Sequence, residues 1–120
     1  MGKEGYRATW TITAGEDLDD LTPGYGPLFR AIALEDGKIA ENGREAGGIL
    51  VYGGRIGDNI TIGYAGVIKF MAGEQIGEGC NLTVGKHGYF YEAKEGDWIV
   101  GRCLDTLVSA ASVGTGKFNF

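Results

Sequence analysis

Histidine is nearly missing from this chain: His87 is the single imidazole among 120 residues. That excludes a two-histidine metal site. His87 itself sits in Gly85-Lys86-His87-Gly88, a turn-rich stretch that reads as an exposed hairpin tip rather than a catalytic station. Cysteine is as scarce, with Cys80 and Cys103 alone. Without a visible leader they read as reduced thiols packed as small apolar groups, the alternative being a pair on neighbouring strands. Basic residues are few and scattered singly. Eleven Lys and Arg stand against sixteen Asp and Glu, for a net charge of −5. Nucleic acid rewards a clustered basic face, so it is not an expected partner. No apolar run is long enough to cross a membrane as a helix, and Met1-Gly2-Lys3-Glu4-Gly5-Tyr6 has no apolar core of the kind a secretory signal carries.

Chemistry-bearing patterns are also lacking. The acidic run Glu16-Asp17-Asp19-Asp20 has no alternating ligand spacing, no central glycine and no closing glutamate, so it is not a calcium loop. It reads as a solvated patch at the start of a helical turn. Gly85-Lys86 and Gly116-Lys117 lack the spacing and the hydroxyl of a phosphate loop. No catalytic, cofactor-binding or metal-binding residue is assigned, and the expectation is a chain without enzymatic activity or cofactor.

Glycine, by contrast, is abundant, with 23 residues where about 7% is usual. Glycine disfavours helix interiors by about 1 kcal/mol each. Spread without period among short apolar runs, it points to many turns between short strands. Ala8 to Thr13 alternates strictly, with Trp10 and Ile12 on one face and Thr9, Thr11 and Thr13 on the other. Pro23 and Pro27 break the connector that follows. Leu28 to Leu34 reads as a strand, Glu35-Asp36-Gly37 as a hairpin turn and Lys38 to Ala40 as its return. Further strands are expected at Ile49 to Tyr52, Asn59 to Ile62 and Val67 to Met71, with Gly63 to Gly66 turning the chain between the last two. Leu82 to Val84, Tyr89 to Tyr91 and Trp98 to Val100 read as a three-stranded meander. Lys117 to Phe120 closes the set. About nine short strands at this spacing predict an all-β, closed or nearly closed barrel.

Several segments carry a family resemblance. These are Gly47-Gly48-Ile49-Leu50, Gly66-Val67-Ile68-Lys69-Phe70, the run Ile76 to Val84, and Glu95-Gly96-Asp97 followed by Ile99-Val100-Gly101-Arg102-Cys103-Leu104. In this order they resemble the phage capsid-decoration proteins, also called head-stabilising or cement proteins, whose domains are β-tulips. The pattern is one of Gly, apolar and Asp positions. Cys80 stands where the family carries an acid after the glycine. The resemblance implies a small Gly-rich β-barrel or β-tulip over residues 28–120, with an N-terminal arm and connector over 1–27. It implies a structural virion protein, made in the host cytoplasm, that binds the outer surface of an expanded capsid. There it would clamp major capsid subunits as a homotrimer. Phe70, Tyr89, Tyr91 and Phe118 are the trimer-interface candidates, since aromatics are enriched at interface cores.

The strand Thr9-Trp10-Thr11-Ile12-Thr13 has two readings. As a capsid-binding arm it pairs with an edge outside its own barrel. As an ordinary strand it completes the barrel of its own chain. The alternative function is a carbohydrate- or ligand-binding β module, which would need an exposed aromatic groove lined with polar groups.

Overall fold

The computed structural model describes residues 7–19 and 26–120. The first residues of the expected arm, Met1 to Tyr6, and the heart of the connector, Asp20 to Tyr25 with Pro23, lie outside the described residues. Within them the chain is built of strands and one 3-10 turn, Lys86–Gly88.

The strands are β1 (Arg7–Thr13), β2 (Ala31–Ala33), β3 (Ala46–Tyr52), β4 (Asn59–Met71), β5 (Ile76–Gly77), β6 (Asn81–Val84), β7 (Phe90–Glu92), β8 (Gly101–Cys103), β9 (Leu107–Val108) and β10 (Val113–Asn119). The main sheet runs β2-β3-β4-β10-β8-β6-β7 with every pair antiparallel, and β1 joins it on β4. β5 and β9 form a separate small ribbon. The two ends of the sheet approach each other. The Arg30 guanidinium, just before β2, donates twice to the carbonyl of His87, just before β7, at 2.8 and 2.6 Å. The all-β, nearly closed barrel expected from the sequence is what forms.

β4 is the spine. Its 13 residues run straight through Gly63 to Gly66, where the sequence suggested a turn. The glycines there serve close packing. A side chain on Gly48 of β3 would stand 2.8 Å from the Gly63 carbonyl, and Gly66 takes φ +101, a conformation glycine adopts without penalty. One long strand can therefore serve both parts of the core. Its Ile60 and Ile62 enter a cluster with Ala14, Leu18, Ile32 and Leu50. Its Ile68 and Phe70 enter a larger cluster with Leu82, Phe90, Cys103 and Phe118.

The larger cluster is centred on aromatic rings. Phe70, Phe90 and Phe118 meet edge to face with centroids 5.4–5.8 Å apart, and Phe120 stacks on Phe118 at 5.6 Å. Such pairs contribute about 0.5–1.5 kcal/mol each beyond their burial. Room for the Phe118 ring comes from glycine. A Cβ on Gly101 or Gly116 would collide with the ring itself. Part of the high glycine content is therefore a packing requirement, and not only turn chemistry.

Three further expectations are corrected. Trp98 to Val100 is not a strand. The third strand of the expected meander is β8, a few residues later, and it pairs with β6 and β10 rather than with β7. Only Ala31–Ala33 of the Leu28–Leu34 run is strand, because Pro27 to Phe29 turn the chain and Phe29 takes φ +67. Glu16 and Asp17 start no helix. Their carboxylates accept the backbone N–H groups of Ile39 (2.7 Å) and Ile56 (2.9 Å), while Leu18 is buried and exchanges backbone hydrogen bonds with Gly54. The acidic segment is thus an anchor that ties the chain after β1 to two loops of the barrel.

Candidate interaction surface

The arm strand pairs in its own chain. β1 lies antiparallel on β4 from Arg7↔Gly66 to Thr13↔Asn59, with a bulge between Ala8 and Thr9. The pairing with an edge outside its own barrel is corrected on this point. The reason is burial. Ile12 packs against the cluster that holds Ile60 and Ile62, and those two β4 side chains are 1% and 0% exposed. The alternation behaves as read: Thr9, Thr11 and Thr13 are exposed, while Ile12 turns inward.

Trp10 does something else. It sits at the rim, 42% exposed, with its ring tilted over Tyr64 at 4.5 Å. Together with Phe120 and Leu34 these rings line an open cleft of about 650 Å³. Its polar wall carries Arg44, Glu35, Asp36 and Glu45. Arg44 also reaches the ring of Trp98, 5.4 Å from its centroid. Trp98 borders a second, shallower hollow of about 350 Å³ that Arg44 shares. The Trp98 carbonyl accepts the Thr83 hydroxyl at 2.7 Å, which pins the segment that carries the ring. Trp10, Tyr64, Arg44 and Trp98 thus border two hollows that meet at Arg44.

A second exposed apolar feature lies in the segment after β7. Trp98, Ile99, Leu104 and Leu107 are 42–59% exposed. Tyr52 and Ile56 stand out at the end of β3 and in the loop before β4.

The four trimer-interface candidates divide. Phe70 and Phe118 are 0% and 2% exposed and belong to the core of their own chain, so neither can meet a neighbour. Tyr89 and Tyr91 are half-buried. Tyr89 lies under the Arg30 guanidinium at 4.6 Å, and Tyr91 covers Gly73 and Gly85, leaving no room for a Cβ at either glycine. Of the residues that do stand out, Trp98 and Ile99 lay inside a stretch read as strand, and Leu104 and Leu107 carried no assignment. Tyr64 was hidden in a stretch read as a turn, so its partnership with Trp10 had no visible signal.

His87 occupies the 3-10 turn at φ +62. Its N–H donates to Glu41 at 3.1 Å, and its imidazole stands 3.9 Å from the same carboxylate in solvent. Among the described residues no three His, Cys, Asp or Glu side chains gather closely enough to hold a metal ion. Both cysteines are free thiols; Cys103 is buried and Cys80 half-buried. Burial is the main cause that pushes the Cys103 thiol above its ordinary pKa. For Cys80 the main cause is the hydrogen bond from its thiol to Glu92, at 3.3 Å.

No protein-family model matches the chain, and neither does any curated protein. Among solved structures, the chain is similar to the N base of the head fiber protein gp8.5 of bacteriophage phi29. The TM-score is 0.70 over 95% of each chain, at 17% identity. At that identity the likeness is one of architecture: this chain has the fold of a phage head-fiber base.

Proposed function

We propose that the chain is a structural, non-enzymatic protein of a phage virion. It binds the outer surface of the expanded capsid, holds neighbouring major capsid subunits together, and acts as a homotrimer. The observation that carries this reading is the match of the whole fold, end to end, to the base of a phage head fiber. The resemblance of Gly47 to Leu104 to capsid-decoration proteins points to the same place from the sequence side. The surface supports it physically. Large apolar side chains left exposed at Trp98, Ile99, Leu104 and Leu107 are the kind that an assembly covers. Contacts between copies or with the shell fall to these residues, since Phe70 and Phe118 are inside. The test is co-sedimentation of the purified protein with expanded capsids of its phage. Saturable binding to expanded shells is expected, and no binding to either expanded or unexpanded shells overturns the reading.

The cleft between Trp10, Tyr64 and Phe120 favours one alternative, a carbohydrate- or ligand-binding module of the same virion. Its volume falls in the range of small-molecule sites, about 300–1,000 Å³, and aromatic faces beside carboxylates and a guanidinium suit a sugar. Binding to a glycan array that Trp10→Ala abolishes would establish that activity.

A further inference from the structure

The register of β6 on β8 places Asn81 opposite Arg102 and Leu82 opposite Gly101. One step further along the same pair stand Cys80 and Cys103. The Cys103 N–H donates to the Cys80 carbonyl at 2.9 Å, and the Gly79 N–H donates to the Cys103 carbonyl at 2.9 Å. Two residues, Gly79 and Cys80, therefore face one, which is a β-bulge. Gly79 supplies the left-handed conformation this bulge requires, at φ +81. The Cys80 N–H turns back to the Gly77 carbonyl at 3.4 Å and closes the tight turn that leads into the bulge.

Both thiols lie on the same side of this pair. Cys80 is two residues before the buried Leu82, and Cys103 two after Gly101, which is Leu82's partner. Cys80 packs against the same apolar cluster that contains Cys103. Directly opposed residues on antiparallel strands have Cα atoms about 4.5–5.5 Å apart, within the roughly 4.4–6.8 Å that a disulfide bridges. Each sulfur is held by a separate weak contact: Cys80 Sγ by Glu92 Oε2 at 3.3 Å, and Cys103 Sγ by the Asp105 carbonyl at 3.6 Å. A rotation about χ1 releases either one.

We propose that Cys80 and Cys103 are a modification site: an intrachain disulfide that forms when the folded protein meets a low-molecular-weight disulfide such as oxidised glutathione. Cys80 is the more exposed thiol and reacts first. Its thiolate attacks one sulfur of oxidised glutathione, forms a mixed disulfide and expels one glutathione thiolate. The Cys103 thiolate then attacks the Cys80 sulfur, forms the Cys80–Cys103 bond and expels the second glutathione. Two protein thiols are oxidised, one small disulfide is reduced, and the two protons given up by Cys80 and Cys103 are taken up by the two expelled glutathione thiolates. A cross-link spanning Asn81 to Arg102 would tie β6 and β7 to β8 and so staple the aromatic end of the barrel. On the virion reading, the bond forms after the particle leaves the reducing cytoplasm. The chemistry itself stands whether or not the chain decorates a capsid.

The test is incubation of the folded protein in oxidised glutathione at mildly alkaline pH, then acid quench, alkylation in denaturant and mass spectrometry. The expected product has the mass of a single chain less two hydrogens, takes up no alkylating agent and gives a linked Cys80–Cys103 peptide. Its Tm rises by roughly 10–15 °C for a closed loop of this length. Cys80→Ala, altered at the half-buried rim, keeps the fold and gives neither the bond nor the shift. Persistent glutathione adducts, disulfide-linked dimers, or two alkylatable thiols after equilibration would each overturn the proposal.

Discussion

Replacing Phe118 by Ala removes the ring on which the larger core cluster converges. Phe118 is 2% exposed, lies edge to face with Phe70 (5.8 Å) and Phe90 (5.4 Å), and carries Phe120 stacked at 5.6 Å. It also fills the space above Gly101 and Gly116, where no other side chain can move in because both positions end at the backbone. The site therefore relaxes poorly, and the loss belongs at the upper end of what a buried phenylalanine costs, about 3–5 kcal/mol. A domain of this size has a total stability of about 5–15 kcal/mol, so the variant stays folded only narrowly. Its Tm falls by roughly 10–20 °C. Urea unfolding followed by circular dichroism, at two well-separated protein concentrations, measures this. Equal destabilisation at both concentrations is the expected result. A variant with the wild-type midpoint at low concentration, and a deficit that appears only where copies associate, would refute the reasoning. It would return Phe118 to an interface between chains.

Removing residues 1–13 lowers the Tm and slows refolding, because Ile60 and Ile62 lose the cover of Ile12; an unchanged melting curve would mean that β1 is a dispensable arm after all. Gly101→Ala puts a methyl group into the Phe118 ring and 2.6 Å from the Lys117 carbonyl. It should cost about 1–3 kcal/mol in chemical denaturation, and a neutral result would show that the ring has room to move. The buried Cys103 thiol holds its proton above the ordinary thiol pKa. Its contribution is complete below that ordinary value and is lost as the pH rises through the folded-state value, where the folded chain must also ionise. Stability measured against pH should therefore decline on the alkaline side, and Cys103→Ala, though weaker at neutral pH, should show a shallower decline.

The sequence carried the fold class well, because its evidence was additive. Twenty-three glycines between short apolar pulses leave little for a helix to be made of, and the alternation of Trp10 and Ile12 with three threonines needed no tertiary context. What it carried poorly were boundaries set by the tertiary structure. Gly63 to Gly66 has the composition of a turn, and only the closeness of Gly48 to the Gly63 carbonyl shows why a strand needs glycine there. Trp98 and Ile99 have strand composition but sit outside the ladder, exposed. The candidate surface was legible only in part. Trp10 drew notice as an aromatic on an alternating strand. Its neighbours Tyr64, Arg44 and Phe120 come from three distant segments that nothing in their spacing unites. Phe70 and Phe118 were misplaced for a related reason: composition marks an aromatic as buried, and only packing decides whether its own chain or a neighbour buries it.

The most direct measurement is a cryo-electron-microscopy reconstruction of expanded capsids from the phage that carries this sequence, saturated with the protein. Copies are expected on the outer surface in groups of three about local three-fold positions, each group touching more than one capsid subunit, with part of the segment Trp98 to Leu107 at a contact. Shells without added density, or isolated single copies each resting on one subunit, would contradict it.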